Sequence, residues 1–570
     1  MRMNIYCALL FILLGLVSCD ILDTEPLDSY HENVVWEHED LAENVLREAY
    51  WSILKSLYCQ GNNSTECLLT EAWSDNVYNK DNNSVAAEAI SPTNINSNIG
   101  DFNKYGYIRK VSLIIEKLTN NPNIEEQKCK RFIAEARCLR VLVYSWMARR
   151  WGGVMLVDKL MTPQDEMLLP RATEQEMYQF MINELKLAIP DLPSVCGKER
   201  FTKGAALTLL TRVALDGAFY DEVIAAGNEL IEGEEAVNWD LDSDYRRMFG
   251  SFSYPEQSRE IQFYFTEGGR KQYCDNLLPM YVAGVLSPGR NIMGPPMTVK
   301  IDTWCVNWPS HELTEAYLAI DVEGDKSAKP YYETKHWKEA LTKTAAIMYS
   351  NRDKRFMATI CYDGTTYFGD PIETDTLGNQ FWNNTQNHPF MTQSGYLWRK
   401  YIYELDGVES APSYQKLYDF RYILLRLGEA YLNYAEALGR KGEIKKAIQI
   451  MNKTRTIHGG LPALSENSSE EVFWKYYKIE RRVELVLEGD RYFSVIRWAK
   501  AENATSVPEF NKKTNAIIIY GDNDLFELTD KSHGSSTGSE RVFSWPKRMY
   551  FPLPESELMN NPNLKQNKYW

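Results

Sequence analysis

Apolar residues recur at three- and four-residue steps over much of the chain, the spacing that gathers them on one stripe of an α-helix. In residues 40–58, Leu41, Val45, Leu46, Ala49, Ile53 and Leu54 form such a stripe behind an acidic start, which predicts a helix. Residues 129–151 carry Phe132, Ala136, Leu139, Val143 and Met147 in the same register and stop at Gly152-Gly153. Thr173 and Glu176 read as a capping box opening a helix that ends at Pro190. Residues 202–231 predict two more helices, broken near Gly217. The clearest repeat runs from Tyr431 to Met451. Tyr431, Tyr434, Ala435 and Leu438 fall where a tetratricopeptide helix places its large, large, small and large residues, and Ala447 and Met451 match its second helix. Leu210, Val213, Ala214, Ala226 and Leu230 give a weaker echo.

Between Trp239 and Pro412 this periodicity fades, and Gly, Pro, Asn, Asp and aromatic residues multiply. Helices are predicted only over residues 312–320 and 337–349. Long irregular segments in a compact protein are usually functional or disordered, and the density of Trp and Tyr argues for order. The expected architecture is mainly α. Tetratricopeptide-like hairpins form a scaffold over about 40–235 and 415–500, with an ordered, loop-rich insertion over about 239–412 and little β structure.

The chain start changes the picture. Arg2 precedes an almost unbroken apolar run from Ile5 to Val17, too short to span a bilayer and suited to a signal peptide. It ends in Leu16-Val17-Ser18-Cys19, a lipobox pattern, so residues 1–18 read as a leader and 19–570 as one mature domain lipidated at Cys19. No other run approaches spanning length. A net charge of −15 argues against nucleic acid or another polyanion as the main partner. Eight cysteines follow Cys19 without a C-x-x-C pair, too sparse for a disulfide scaffold and wrongly spaced for zinc. Cys59 and Cys67 either staple a small loop or are buried thiols.

Catalytic patterns are weak. Gly534-Ser535-Ser536-Thr537-Gly538 matches a nucleophile elbow, but it sits in a Ser/Gly/Thr-rich stretch leading into Arg541 to Pro546, a poor helix start. Seven histidines are scattered without a metal-type cluster, with His31 and His38 expected at the surface, and no phosphate-binding or dinucleotide fingerprint is present. The Glu and Arg residues of Glu480-Arg481-Arg482-Val483-Glu484 read as ion pairs along a helix face.

Eight segments in order resemble the SusD/RagB family of Bacteroidetes. After the lipobox stands Cys19-Asp20-Ile21-Leu22-Asp23-Thr24-Glu25-Pro26, whose acids resemble the surface-export signal of these bacteria. Then come Arg131 to Arg140 continuing through Arg150-Trp151-Gly152-Gly153-Val154, Arg171 to Glu176, Thr202 to Ala206, and Asn351-Arg352-Asp353-Lys354-Arg355-Phe356. Arg426 to Leu438, Glu480 to Trp498, and Tyr550 to Pro554 with Asn561 to Asn567 complete the set. Met155 after the Gly-Gly-Val, Ser494-Val495, and the closing Lys568-Tyr569-Trp570 depart from the usual pattern. The resemblance implies four tetratricopeptide-like hairpins, a loop-rich ligand-binding insertion over about 239–412, and a surface lipoprotein without catalytic activity or cofactor. It also implies capture of a glycan and its delivery to a SusC-like TonB-dependent outer-membrane transporter. A lipid-anchored glycoside hydrolase, a structural adaptor and a binder of a non-glycan nutrient are the alternatives.

Sugar rings stack on exposed aromatic faces, so the candidate ligand contacts are aromatics in polar loops. Trp73 and Tyr78 flank the segment Ser74 to Asn83, Tyr281 lies upstream of Ser287 to Pro296, and Trp304 and Trp308 follow it. Trp146, Trp151, Trp474 and Trp498 lie on helix stripes and read as packing residues.

Overall fold

The computed structural model describes residues 32–59, 66–79, 83–266, 305–381, 391–406, 421–530 and 540–570. The leader, Cys19, His31, Tyr281, Trp304 and the 534–538 motif therefore lie outside the described residues. The chain is mainly helical. Its long helices are α1 (Glu39–Tyr58), α2 (Glu66–Ala72), α3 (Tyr105–Leu118), α4 (Glu126–Trp151), α5 (Glu174–Ala188), α6 (Lys203–Asp216) and α7 (Tyr220–Ile231). After the irregular half come α8 (Leu427–Arg440), α9 (Ile444–Ile457), α10 (Glu470–Glu484) and α11 (Arg491–Ala501).

The helices form where an apolar stripe can be buried, and α5, α6 and α10 are also capped by a side chain, from Thr173, Thr202 and Ser469. Thr173 accepts from the Glu176 backbone N–H while the Glu176 carboxylate accepts in return, so the capping box of α5 is present. Helix α3 packs on α4, α4 on α5, α6 on α7, and α8 on α9; α7 and α8 then join the first run of helices to the last. At that junction a Cβ on Gly227 would stand 2.7 Å from Tyr434 Cγ, so only glycine allows the two helices this approach. Tyr434, Ala435, Leu438, Ala447 and Met451 are buried, as are Leu210, Val213, Ala214, Ala226 and Leu230. The repeat register read from the sequence is the register of packing. A Trp at 435 has no room there. Ala435→Trp is expected to lower stability by about 1–3 kcal/mol through overpacking, and a thermal melt matching wild type would show the register to be wrong.

The intervening half holds short elements. The helix expected over 312–320 ends at Ala316, after which Ala319–Ile320 pairs as a strand with Ala328–Lys329. That expected over 337–349 is two pieces, Lys335–Glu339 and Ala345–Tyr349, because Thr344 is extended and caps the second. The described strands pair two by two. The ladders that matter for function are β1 (Val77–Asn79) with β3 (Asn307–Pro309), and β2 (Ile261–Thr266) with β4 (Arg421–Arg426). Trp146, Trp151 and Trp498 are buried and Trp474 is half-buried, whereas His38 is exposed. Cys59 and Cys67 are both buried.

Candidate functional site

The β1–β3 ladder brings together the two regions in which ligand contacts were expected. Tyr78 stands opposite Trp308 and Asn79 opposite Asn307. The aromatic pair does not face solvent. Tyr78 and Trp308 are 0% exposed and Trp73 is 1% exposed, so none of the three offers a ring face to a sugar. Trp73 instead packs edge-on against Tyr492 and Phe551, with the Arg150 guanidinium 5.5 Å from its ring. The stacking role expected of Trp73, Tyr78 and Trp308 is thereby corrected: they are core residues that hold two chain segments together.

Local sequence misleads here because Ser74-Asp75-Asn76 looks like a surface turn. All three are buried. Asp75 accepts from Arg491 at 2.9 and 3.0 Å and lies 3.0 Å from the Arg482 guanidinium. Burial alone would raise its pKa, but Arg482 and Arg491 hold it well below the usual carboxylate range. Arg482 also donates to Asn76 Oδ1 at 2.7 Å, and Arg541 donates to the carbonyls of Trp73 and Val77. Glu71 accepts from Asn76 Nδ2 and the Leu487 N–H, and burial pushes its pKa up to about 7. The polar run is clamped by arginines from the far end of the chain.

At one end of the ladder, Asn79, which is buried, and Asn307, which is partly buried, are directly opposed and so share one face of the strand pair. Asn79 donates to the Ala72 carbonyl at 3.3 Å, while its Oδ1 has no partner among the described residues. The Asn307 carbonyl accepts from Trp398 Nε1 at 2.9 Å, which anchors β3. Sequence reading did not single out these two amides. The signal available was their repetition beside each aromatic, in Tyr78-Asn79 and Asn307-Trp308.

Beneath this region lies a buried ionic network built from the segments that carry the family resemblance. Arg355 donates to Asp353 at 2.6 Å, Glu480 at 2.5 Å and Glu484 at 2.7 Å. Arg426 binds Glu260 at 2.8 Å, Glu484 at 2.6 Å and Glu488 at 2.7 Å. His458 bridges Glu484 and Glu260 at 2.8 and 2.9 Å. Lys400 donates to Glu488 at 2.6 Å and to the Tyr245 hydroxyl at 2.7 Å. The ion pairs expected along a helix face are thus corrected. Glu480, Arg481, Arg482 and Glu484 bind partners on other elements, since all four point from α10 into the interior.

Glu260, His458 and Glu484 have ligand-type atoms within 4.8 Å of one another, which invites a metal reading. Their protonation opposes it. Burial alone would lower the His458 pKa, but Glu260 and Glu484 raise it to about 10, so the ring is an imidazolium with both N–H groups donating. A ring in that state has no lone pair for a cation. The cluster is a structural salt bridge joining β2, α9 and α10.

Residues 279–570 match the family model described as the SusD family, and residues 20–215 match a model described as starch-binding associating with outer membrane. The chain is similar to a SusD-like protein of Formosa agariphila, 23% identical over 517 residues, covering 86% of this chain and 91% of that one. A solved SusD-like protein from Bacteroides fragilis superposes with a TM-score of 0.75 at 23% identity, over 96% of this chain and 100% of its own. A SusD-like carbohydrate binding protein from the same species gives 0.73 at 20% identity, over 93% and 100%. Those structural likenesses show the fold. With a family model covering just over half of the sequence, the chain belongs to the SusD family.

Proposed function

We propose that this protein is a non-catalytic, lipid-anchored glycan-binding protein of the cell surface. It captures an oligosaccharide or polysaccharide and passes it to a SusC-like TonB-dependent barrel in the outer membrane. The observation that carries this reading is family membership, with residues 20–215 also matching a family model described as starch-binding associating with outer membrane. The lipobox at Cys19 supports anchoring. Tyr281 and Trp304 remain the proposed stacking residues, since Trp304 stands three residues before β3 in the sequence, and Asn307, the less buried amide of the ladder, would bind sugar hydroxyls.

The test is a glycan panel presented to the chain from Asp20 onward, with binding read by calorimetry and products by chromatography. Binding without turnover is expected. Turnover would establish a hydrolase and overturn the reading, as would silence across neutral and charged glycans. Tyr281→Ala and Trp304→Ala should each weaken a confirmed ligand about tenfold or more, the usual loss at a binding hot spot. For anchoring, Cys19→Ala is expected to move the protein from the membrane to the soluble fraction with its melting curve unchanged. Stable attachment needs more than one acyl chain, and all of them depend on this thiol. Retention in washed membranes would disprove lipidation at Cys19.

A further inference from the structure

A cavity of about 590 Å³ opens between α1, the start of α3 and the short helix Ile95–Ile99, with no residue of the β1–β3 ladder in its lining. Its volume falls in the range of small-molecule sites. Two aromatics line it, Trp51 and Tyr107, together with the amides of Asn96 and Asn98 and the ammonium groups of Lys55 and Lys104. Trp51 is 46% exposed although it sits on a 20-residue helix whose other large apolar residues point inward. The apolar stripe of α1 does not include it, so its indole stands at the cavity wall, part exposed, with the Lys55 ammonium 5.0 Å from its ring centroid.

Lys104 is the second unusual group. It is 6% exposed, and its Nζ donates to the Ser56 hydroxyl at 2.9 Å and, more weakly, to the Ser56 carbonyl at 3.5 Å. No carboxylate lies within ion-pair distance among the described residues, and its Nζ stands 5.2 Å from the centroid of the Trp146 ring. Burial accordingly lowers its pKa, with Asp101 acting in the opposite direction. A buried ammonium without a counter-ion is costly, and buried charges are ordinarily paired. The positive end of the α3 dipole adds to the potential at this spot. In a chain of net charge −15, the lining carries two cations against the single carboxylate of Asp101.

We propose that this cavity is a second saccharide site, and that it takes a pyranose bearing an anionic substituent. The Trp51 indole stacks on the C–H face of the ring, the Asn96 and Asn98 amides meet its hydroxyls, and Lys104 supplies the missing ion pair to the anion. An apolar ligand would strand these amides and charges. A free inorganic anion would leave the exposed indole idle. A uronate carboxylate and a sugar sulfate share the required chemistry. The site needs none of the residues proposed for the loop face, so the two readings can fail separately.

The experiment titrates the mature chain with a galacturonate disaccharide, a sulfated galactose disaccharide and the uncharged galactose disaccharide. At least one acidic probe is expected to bind. Its affinity should fall at least tenfold in both Trp51→Ala and Lys104→Met and weaken as salt is raised, while a neutral polysaccharide bound at the loop face is unaffected by either change. Binding by neither acidic probe overturns the proposal, as does acidic binding that both variants preserve. Equal binding of the uncharged disaccharide at a Trp51-dependent site overturns the anionic assignment. Should Lys104→Met fail to fold, Trp51→Ala and Asn98→Ala, both at accessible side chains, decide the matter with the same probes.

Discussion

Arg355→Met is expected to lower the unfolding free energy by about 3–5 kcal/mol, the usual consequence of removing one partner from a buried ion pair. Arg355 is fully buried and holds Asp353, Glu480 and Glu484 together. Methionine fills most of the same volume, so the loss reports charge and not a cavity. The three carboxylates would remain in the interior without the guanidinium that neutralises them. Urea unfolding of wild type and variant measures the difference. Arg47→Met serves as the control, because that Arg47–Glu43 pair is largely exposed on the Arg47 side. Its loss should cost no more than about 1 kcal/mol. If the two substitutions cost the same, the network around Arg355 does not hold the irregular half to α10.

The pH dependence of stability should carry the mark of His458. Its folded-state pKa of about 10 lies above the ordinary 6.5, so the imidazolium contributes fully below pH 6.5. That contribution fades as pH rises from 6.5 through 10. In His458→Gln, which cannot be charged, the deficit against wild type is expected to reach several kcal/mol near pH 6 and to shrink steadily toward pH 10. The acid limb has a different origin. Against the cost of burial, Arg497 holds Glu436 at about 2 and Arg481 holds Asp490 at about 2. Stability from those carboxylates is present above their ordinary values of 4.5 and 3.8 and is lost as pH falls toward 2. Both limbs can be followed by urea midpoints at each pH. A deficit in His458→Gln that stays constant between pH 6 and 10 would show that His458 is neutral in the folded protein, and would reopen the metal reading of Glu260, His458 and Glu484.

The same residues illustrate how far a linear reading reaches. Arg355, Arg426, Glu480 and Glu484 were visible as parts of recurring segments, and their order along the chain sufficed to suggest the family. Their roles were not visible. Glu484 meets His458 26 residues away and Arg426 58 residues away, and Arg355 meets Glu480 across 125. Nothing in local spacing pairs them, and the i to i+4 rule that organises exposed helix charges gave the wrong partners.

The binding face shows the opposite error. Trp73, Tyr78 and Trp308 were expected in solvent because Ser, Asp and Asn surround them, yet those polar neighbours are buried with bound arginines. Trp51 raised no such expectation, although a Trp off the apolar stripe of an amphipathic helix is the feature that marks the cavity.

The sequence by itself determined α1 and the helices from α4 to α9, the capping box of α5, the repeat register and the family, because each depends on side chains within one or two turns of one another or on motifs in fixed order. Tertiary structure alone decided which aromatics are buried and which carboxylates share a cation. It also decided where a buried lysine lies with no carboxylate in ion-pair reach. Burial and pairing of charge are set by residues hundreds of positions apart, and a polar residue written beside an aromatic looks the same whether water or an arginine satisfies it.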